Sequence, residues 1–487
     1  MSWHPAYVDR VLAPDHAFAG ARLYDAFLDA LTAHLRTVAR LPSAAAAAGD
    51  VRRLEQALHA QRDLTPPPPA PDVPDLYFAL QRRLAAHVAD HGGPTDADAA
   101  LAWLRLGLSR NDLDMTAYVL AARAALLAVA RRAAELDAAL LDLAEAHVDT
   151  VIIATTHHRP AQPTTLGHYL AAAAAVVGRD HDRLLGALRR MDRCPLGAAA
   201  LAGSSHPLDR AASARALGFA EPVANTYDAV AAGDWQLDVA ALGQTIGVGL
   251  SRLTHDLIAA ASDGWLRLSD DLVQGSSIMP QKRNPVTLEH ARTRFGRAAG
   301  LGQALAFAGH NVPFGDVNDV GPDAQEAVHG VLDALDAGLE LLTACLRGAT
   351  VDRVALAARA AATDTTATEL ADELVRTCGL AFPAAHRTAA ALVRHLAAQG
   401  RPLPTATPED LEVCGGPAMT REALAAALSP AAFVARRDGL GGPAPAAVRS
   451  QVARSRAELA EYHRAVETMT ARIDAAYREL RTPGKDV

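Results

Sequence analysis

Residues 275–285 hold the side chains of this chain that are best suited to chemistry, and they read GSSIMPQKRNP. The Gly-Ser-Ser run supplies a mobile hydroxyl, and the ammonium of Lys282 and the amide of Asn284 follow closely. An elimination beside a carboxylate needs a base for a weakly acidic carbon-bound proton and donors where negative charge accumulates. A loop led by Gly275 can also close and exclude water, so the segment fits such a reaction.

The same residues also have a purely structural interpretation. A Gly-Ser-Ser run on its own is typical of a turn before a helix beginning near Asn284, with serine as the cap. The lysine content adds a second consideration, since Lys282 and Lys485 are the only lysines among 47 lysines and arginines. A composition biased towards arginine explains this rarity, but arginine cannot replace a compact ammonium at a tight site.

Taken as a whole, residues 275–285 match the signature G-S-S-x-M-P-x-K-x-N-P at every specified position. The chain therefore resembles the fumarase/aspartase superfamily. The resemblance implies an elimination that releases fumarate without metal or cofactor, with Ser276 as the base in its alkoxide form. It also implies that Lys282 and Asn284 stabilise a doubly charged carboxylate intermediate, and it places Ser277 among the substrate-binding residues.

Further segments resemble one branch of that superfamily, the argininosuccinate lyases, and extend the resemblance over nearly the whole chain. The resemblance is weakest towards the N-terminus. The matching segments are LSRND at 108–112, which contains S-R-N-D, THHRPAQP at 156–163, close to T-H-x-Q-R-A-Q-P, the P-L-G-x-x-x-L-A-G pattern at 195–203, and FPAAH at 382–386.

The segment at 156–163 is assigned by this resemblance to the leaving group. Thr156 and His157 belong to the proton-donor side, and Gln162 is a substrate-binding residue. Glu289 is the carboxylate that pairs with the histidine, and such a pair stabilises an imidazolium that can protonate a departing amine. The group that finally delivers the proton stays open. A lone histidine is more often a hydrogen-bonded structural residue, but the neighbouring Thr156 and Gln162 favour the functional interpretation.

Ser109, Arg110 and Asn111 resemble the residues that bind the substrate carboxylates in this branch. An arginine fork matches a carboxylate through two hydrogen bonds, and the neighbouring hydroxyl and amide add further donors. As bare residues they are also compatible with a helix N-terminal cap beside a solvated arginine.

Two regions depart from the argininosuccinate lyase pattern. The branch carries D-V-H-x-A-N-E where this chain reads DLYFALQ, so Tyr77, Leu80 and Gln81 replace histidine, asparagine and glutamate. After the signature loop, Asp316, Gly321 and Ala324 fall where the branch places a tyrosine, a glutamine and a lysine that hold the guanidinium portion. Unmatched buried donors are costly, so a site that has lost such groups is expected to take a different amine.

The preferred hypothesis is therefore a carbon–nitrogen lyase that acts on an N-substituted aspartate other than argininosuccinate. Three alternatives remain open. They are argininosuccinate lyase itself, a non-amine elimination on a related dicarboxylate, as fumarases perform with water, and a non-catalytic homologue such as the lens crystallins of this branch.

The composition and periodicity predict an all-α fold. Half of the residues are hydrophobic but only 4% are aromatic, which suits helices packed through small side chains. Residues 108–159 contain neither glycine nor proline and predict one very long helix or two nearly collinear ones, and no useful alternating strand pattern is found.

Three domains are expected, at 1–107, 108–352 and 353–487, and the resemblance implies a homotetramer with active sites shared among three subunits. Further helices are predicted at 237–261, 286–308, 324–346, 364–376, 384–398 and 446–480.

Several functional classes are not supported by the sequence. The net charge is −8 and the basic residues are scattered, so the sequence does not predict a basic patch that would bind nucleic acid or an anionic membrane. The four cysteines lie far apart, and the spacing of His158 and His168 fits no common zinc pattern, so we predict no disulfide and no metal site. Without a phosphate-cradling glycine loop or a signal-peptide pattern, the expected protein is cofactor-free and cytoplasmic.

Overall fold

The computed structural model describes residues 3–70, 73, 75–91 and 97–483. It confirms the all-α fold, because helices dominate the described residues and the strands are short. The α-helices are, in chain order, α1 (Pro5–Tyr7), α2 (Ala13–Arg22), α3 (Tyr24–Val38), α4 (Ala48–Gln61), α5 (Leu76–His91), α6 (Ala97–Arg105), α7 (Arg110–Ala146), α8 (Leu166–Met191), α9 (Arg210–Ala216), α10 (Asp228–Ala231), α11 (Asp234–Ser262), α12 (Val286–Ala308), α13 (Pro322–Arg347), α14 (Arg353–Ala361), α15 (Ala367–Cys378), α16 (Phe382–Ala398), α17 (Pro408–Val413), α18 (Arg421–Ala427), α19 (Pro430–Ala435) and α20 (Pro445–Leu480).

The strands pair in twos: β1 with β2, β3 with β4, β5 with β8 and β6 with β7. Their bounds are β1 (Val151–Thr156), β2 (Arg159–Thr165), β3 (Arg193–Cys194), β4 (Glu221–Pro222), β5 (Leu266–Leu268), β6 (Gln274–Gly275), β7 (Arg283–Asn284) and β8 (Ala349–Val351). The six helices predicted from residue 237 onward are confirmed as α11, α12, α13, α15, α16 and α20. Their bounds differ from the predicted ones by only a few residues, as is usual at helix ends.

Helix α7 is the long rod of the central bundle, and it begins at a capping box. The Ser109 hydroxyl accepts a hydrogen bond from the Asn111 N–H (3.3 Å), and the Asp112 carboxylate accepts one from the Ser109 N–H (3.0 Å). These bonds satisfy N–H groups that the first helical turn leaves without partners. The prediction that the helical stretch continues to Arg159 is wrong, because α7 ends at Ala146.

The segment after α7 forms a β-hairpin, which the prediction of a chain without useful strands missed. The run Val151–Thr156 is rich in β-branched residues, whose stiff side chains favour an extended backbone. Thr156 pairs with Arg159, so His157 and His158 alone form the turn, with φ values of 51° and 61°. Positive φ at both positions is typical of a type I′ turn, which residues other than glycine adopt at a cost in strain.

Helices α11 and α12 approach each other through glycines, in agreement with the small-residue composition. A Cβ on Gly302 would lie 2.5 Å from the carbonyl oxygen of Ala240, and one on Gly243 would lie 2.7 Å from that of Ala298. Side-chain carbons do not approach backbone so closely, so backbone packs directly on backbone here.

A Gly302→Ala substitution is expected to lower the free energy of unfolding by about 1–3 kcal/mol, because the added methyl forces α11 and α12 apart. Gly300→Ala is the matched control, since a Cβ there meets no atom within 4 Å. On helix propensity alone the control should raise stability by about 0.5–1 kcal/mol. Urea unfolding followed by circular dichroism measures both, and equal effects of the two substitutions would contradict the close crossing.

The hydrophobic core has two main parts within the described residues. The larger part extends from Leu23 to Leu346 and includes buried residues of α20, which packs on α7 and α8. The smaller part joins residues 370–428. The domain boundaries after residues 107 and 352 stay predictions, and α20 returns from the C-terminal segment to the central bundle.

Helix α7 is the one described helix that is long and apolar enough to cross a membrane by length and composition. However, 72% of its most apolar window is buried inside the protein, as is typical of a core helix, so its apolar character is weak evidence for a membrane span. The four cysteines are free thiols, of which Cys194 and Cys345 are buried.

Candidate active site

One buried carboxylate joins the start of α7 to the P-L-G segment. Asp112 is fully buried, and its two oxygens accept the N–H groups of Ser109 (3.0 Å) and Gly197 (2.9 Å). The N–H groups of Ala199 and Ala200, both at positive φ, also donate to this carboxylate. Burial raises the pKa of Asp112, and the backbone donors oppose that rise. The two sequence segments therefore form one structural unit.

Asp112→Asn is expected to lower the free energy of unfolding by about 2–4 kcal/mol, because an amide turns an NH₂ group towards buried N–H donors. The control is Asp209→Asn, which changes a half-exposed N-cap of α9 and should cost only about 1 kcal/mol or less. Urea unfolding measures the stabilities, and hydrogen exchange measures protection of residues 195–203. An effect of Asp112→Asn no larger than that of the control would contradict this anchoring role.

Arg110 and Asn111 face carboxylates of their own chain. The Arg110 guanidinium lies 2.8 Å from Asp75 and 3.4 Å from Asp114, and the Asn111 amide donates a hydrogen bond to Asp316. The Arg110 side chain is still 46% exposed, so its guanidinium stays open to an external carboxylate. Asp316, which the sequence placed at the leaving-amine contacts, thus lies beside a predicted carboxylate-binding residue.

The segment predicted to serve the leaving group lies at the turn of the β1–β2 hairpin and along β2. Thr156, His157 and Gln162 are exposed, and no hydrogen bond to their side chains occurs within the described residues. Glu289, in the first turn of α12, is exposed as well, and no ion pair joins it to His157 in that part of the chain. The histidine and its predicted carboxylate partner are therefore not brought together within one chain.

The signature loop is closed by a short antiparallel ladder. Gln274 pairs with Asn284 and Gly275 with Arg283, so both ends of the loop are fixed. The Arg283 guanidinium strengthens this closure through an ion pair with Asp270 and a hydrogen bond of 2.9 Å to the Leu268 carbonyl. The residues between the two strands are held as one compact loop before α12.

Within this loop the Ser276 oxygen is the focus of backbone donors. Its Oγ accepts the N–H groups of Ile278 (3.3 Å) and Met279 (3.0 Å). N–H groups that converge on an oxygen stabilise negative charge there, which is what a serine acting as an alkoxide needs. Lys282 and Ser277 are exposed on the same loop and Asn284 is half-buried at its base.

The predicted site residues lie at opposite ends of the central bundle. The signature loop precedes α12, whereas Asp316, in contact with Asn111, lies in the loop that follows α12. At 1.5 Å per residue, α12 with 23 residues is about 35 Å long. The hairpin follows α7, whose 37 residues span about 55 Å. One chain thus holds the start of α7 far from both the hairpin and the signature loop.

Two residues beside Arg110 were not predicted as part of the site. Asp114 and Tyr118 follow Arg110 at intervals of four residues, so the three share one face of α7. That spacing is the feature of the sequence that could have identified them. Asp75 and Asp316 are remote from α7 in sequence, so the sequence does not indicate the contacts that they make. Of the other two departures after the loop, Gly321 caps α13 and Ala324 is buried in it.

The histidines considered as metal ligands have other roles in the described residues. His168 is hydrogen-bonded to the Thr164 hydroxyl (2.8 Å) and to the Gly441 carbonyl (3.0 Å), while His158 lies in the hairpin turn. No group of three or more histidine, cysteine or acidic residues suited to a metal ion occurs in the part of the chain that the structure describes.

Comparison with known proteins identifies the class. The family model described as "Lyase" matches residues 75–300, and the model described as "Argininosuccinate lyase C-terminal" matches residues 364–435. Together with the helical bundle and its signature loop, these matches define a lyase. The chain belongs to the fumarase/aspartase superfamily, in its argininosuccinate lyase-like branch.

Two curated relatives and two solved structures illustrate this placement. The argininosuccinate lyase of Methanoculleus marisnigri is 39% identical over 381 residues, 77% of each chain, and that of Chromobacterium violaceum is 36% identical over 393 residues, 80% of this chain and 82% of the relative. The structure of EDDS lyase in complex with formate is 25% identical, with a TM-score of 0.83 over 99% of this chain and 95% of that one. The class II fumarase of Schistosoma mansoni, 17% identical with a TM-score of 0.69 over 84% of this chain and 90% of that one, shares the fold.

Proposed function

We propose that the chain is a carbon–nitrogen lyase that eliminates an amine from an N-substituted aspartate and releases fumarate. The observation that supports this most directly is the signature loop, in which two backbone N–H groups converge on the Ser276 oxygen. A base of this kind is needed because the proton beside the carboxylate is only weakly acidic. An EDDS lyase variant with bound fumarate, 25% identical with a TM-score of 0.82, provides further support.

The reaction is an anti elimination in which Ser276 takes the proton from the carbon next to the distal carboxylate. The electron pair moves onto that carboxylate, where Lys282 and Asn284 stabilise the doubly charged intermediate. The carbon–nitrogen bond then breaks, and the nitrogen is protonated on the side of Thr156 and His157. Fumarate and the free amine leave, and no other reactant is consumed.

The remaining residues bind and orient the substrate. Ser109, Arg110 and Asn111 hold a carboxylate of the aspartate portion, together with Ser277 and Gln162. Glu289 pairs with the histidine that serves the leaving group. All of these groups use hydrogen bonds and charge alone, and no metal or cofactor is assigned a role.

The active sites are proposed to form between subunits of a homotetramer, with three subunits contributing to each. This arrangement explains why Arg110 and Asn111 lie far from Ser276 and His157 in one chain, since opposite bundle ends of different copies can meet. The exposed hairpin tip fits the same explanation, because its strained turn presents His157 outward.

The proposed amine differs from that of argininosuccinate. In the N-terminal departure, Tyr77, Leu80 and Gln81 are buried, and Gln81 donates to the Tyr77 hydroxyl and accepts from Arg105 (2.9 Å). These side chains are satisfied by their own chain and offer no polar group to a substrate. The second candidate is argininosuccinate lyase, which the two curated relatives at 39% and 36% identity favour.

A kinetic comparison separates these two functions. Ultraviolet absorbance of fumarate gives kcat/KM for argininosuccinate and for a panel of N-substituted aspartates. We expect a panel member to reach about 10⁴ M⁻¹s⁻¹ or more and argininosuccinate to fall far below it. The reverse order would return the chain to argininosuccinate lyase. Fumarate from malate alone would favour a non-amine elimination, and inactivity of the folded oligomer would favour a non-catalytic homologue. A cytoplasmic location stays a prediction.

A further inference from the structure

We propose that His168 is a positioning residue for the leaving-group side of the site, because it links the β1–β2 hairpin, which carries His157 and Gln162, to the segment between α19 and α20. This inference rests on the proposed function, since it concerns the same proposed site. His168 is not among the reacting groups and acts only through the placement of the hairpin.

The imidazole of His168 joins two segments that are remote in sequence. Its Nε2 lies 3.0 Å from the Gly441 carbonyl oxygen, and its Nδ1 lies 2.8 Å from the Thr164 hydroxyl. A carbonyl can only accept, so Nε2 carries the proton, and in the neutral ring Nδ1 then accepts the O–H of Thr164. Both ring nitrogens are therefore used, one on each segment.

The start of α8 holds His168 on closely packed backbone. The His168 N–H donates to the hydroxyl of Thr165 (3.0 Å), which caps α8 and is fully buried. A Cβ on Gly167 would lie 2.5 Å from the Ala144 carbonyl oxygen, so α8 begins directly against the end of α7. A side chain on such a rigid element can place its hydrogen-bond partners precisely.

The Gly441 carbonyl is held from the C-terminal side. Gly441 lies in a loop that is closed by a hydrogen bond of 3.2 Å from the Ala444 N–H to the Arg437 carbonyl. The Arg437 guanidinium in turn lies 2.7 Å from the buried Glu369 carboxylate of α15. A continuous set of polar contacts thus runs from α15 through this loop and His168 to the hairpin.

The hairpin end of this link lies close to the groups predicted to serve the leaving amine. Thr164 and Gln162 are two residues apart on β2, so they share one face of the hairpin. The turn at His157 and His158 has positive φ, and such a conformation persists only where the surrounding structure holds it. A displacement of about 1 Å can cost about 100-fold in rate, so an anchor on β2 matters for protonation of the amine.

Four variants test the link. His168→Leu removes both hydrogen bonds of the ring, whereas His168→Gln keeps one donor and one acceptor on its amide. Thr164→Val removes the hydroxyl on β2. Thr350→Val is its matched control, since it removes a strand hydroxyl that donates to the Arg267 carbonyl (3.3 Å) in β8, away from the hairpin.

Three measurements are made on each variant. Ultraviolet absorbance gives kcat and KM for fumarate release from the fastest panel substrate. Proton magnetic resonance in D₂O gives deuterium uptake into unreacted substrate, which reports proton removal by Ser276 followed by its return from solvent, without cleavage of the carbon–nitrogen bond. Amide hydrogen exchange gives the protection of residues 151–165. A simple loss of folded protein would lower uptake and release alike.

We expect His168→Leu to lower kcat by roughly 10- to 100-fold, with KM within a few-fold of the parent value. The ratio of deuterium uptake to fumarate release should rise by about tenfold, and amide exchange in 151–165 should be about tenfold faster. Thr164→Val should change kcat in the same direction by less. His168→Gln should stay within about threefold of the parent chain, and Thr350→Val should match it.

Two results would overturn the positioning role of His168. They are a His168→Leu chain with the kcat of the parent, and a loss in which uptake and release fall in equal proportion. A parent chain that releases no fumarate would overturn the proposed function instead. Hydrogen exchange would then still decide the link, which requires faster exchange in His168→Leu than in His168→Gln and is overturned by equal exchange in the two.

Discussion

Ser276→Ala is expected to lower kcat/KM for fumarate release by about 10³-fold or more, because the reaction loses the base that removes the carbon-bound proton. The loss should appear mainly in kcat, since the methyl group leaves the substrate carboxylate contacts in place. Ultraviolet absorbance of fumarate measures it with whichever panel substrate is turned over fastest.

Ser277→Ala is the control for Ser276→Ala, because it removes a hydroxyl from the adjacent exposed position of the same loop. We expect a smaller loss, expressed mainly in KM, as for a group that binds substrate in both ground state and transition state. Ser277→Ala should unfold at the temperature of the parent chain, and Ser276→Ala close to it, because the two hydrogen bonds that it loses belong to a surface loop. A Ser276→Ala chain that keeps kcat within about tenfold of the parent would contradict the role of Ser276 as base.

Mixing two inactive variants from opposite ends of the bundle should restore activity. Ser276→Ala and Arg110→Ala each destroy one half of the site, and about 35 Å of α12 separates these halves in one chain. If different subunits supply the halves, random reassembly of an equal mixture gives about a quarter of the sites both intact groups. The measurement is fumarate release after the chains are unfolded together and refolded.

Two controls accompany the mixing experiment. Each variant refolded alone should stay inactive, and a mixture of Ser276→Ala with a Ser276→Ala, Arg110→Ala double variant should also stay inactive. No recovery in the test mixture, although the chains co-assemble, would contradict a site shared between subunits.

The sequence predicted the helices well where burial is periodic and breakers mark the ends, as for α12 and α20. It failed after α7, because a run without glycine or proline looked continuous although Val151–Thr156 is rich in β-branched residues. That run forms a strand because it pairs with β2 and packs beside α14. Local propensity alone did not decide between the two states.

The residues of the candidate site could be named from the sequence, whereas most of their contacts could not; the chemistry assigned to them stays a prediction. Ser276, Lys282 and Asn284 lie within one loop, so their proximity follows from the sequence. The contacts of Arg110 with Asp75 and of Asn111 with Asp316 join remote segments and needed the fold. The separation of His157 from the start of α7 within one chain was expected, because the resemblance implies that each site collects segments from several subunits.

The most direct test of the proposed reaction is proton magnetic resonance of the products formed from the panel of N-substituted aspartates, with argininosuccinate included and Ser276→Ala as the control. We expect fumarate and free amine in equal amounts from at least one member other than argininosuccinate, and neither product with the control. No fumarate from any N-substituted aspartate, or products from argininosuccinate alone, would contradict it.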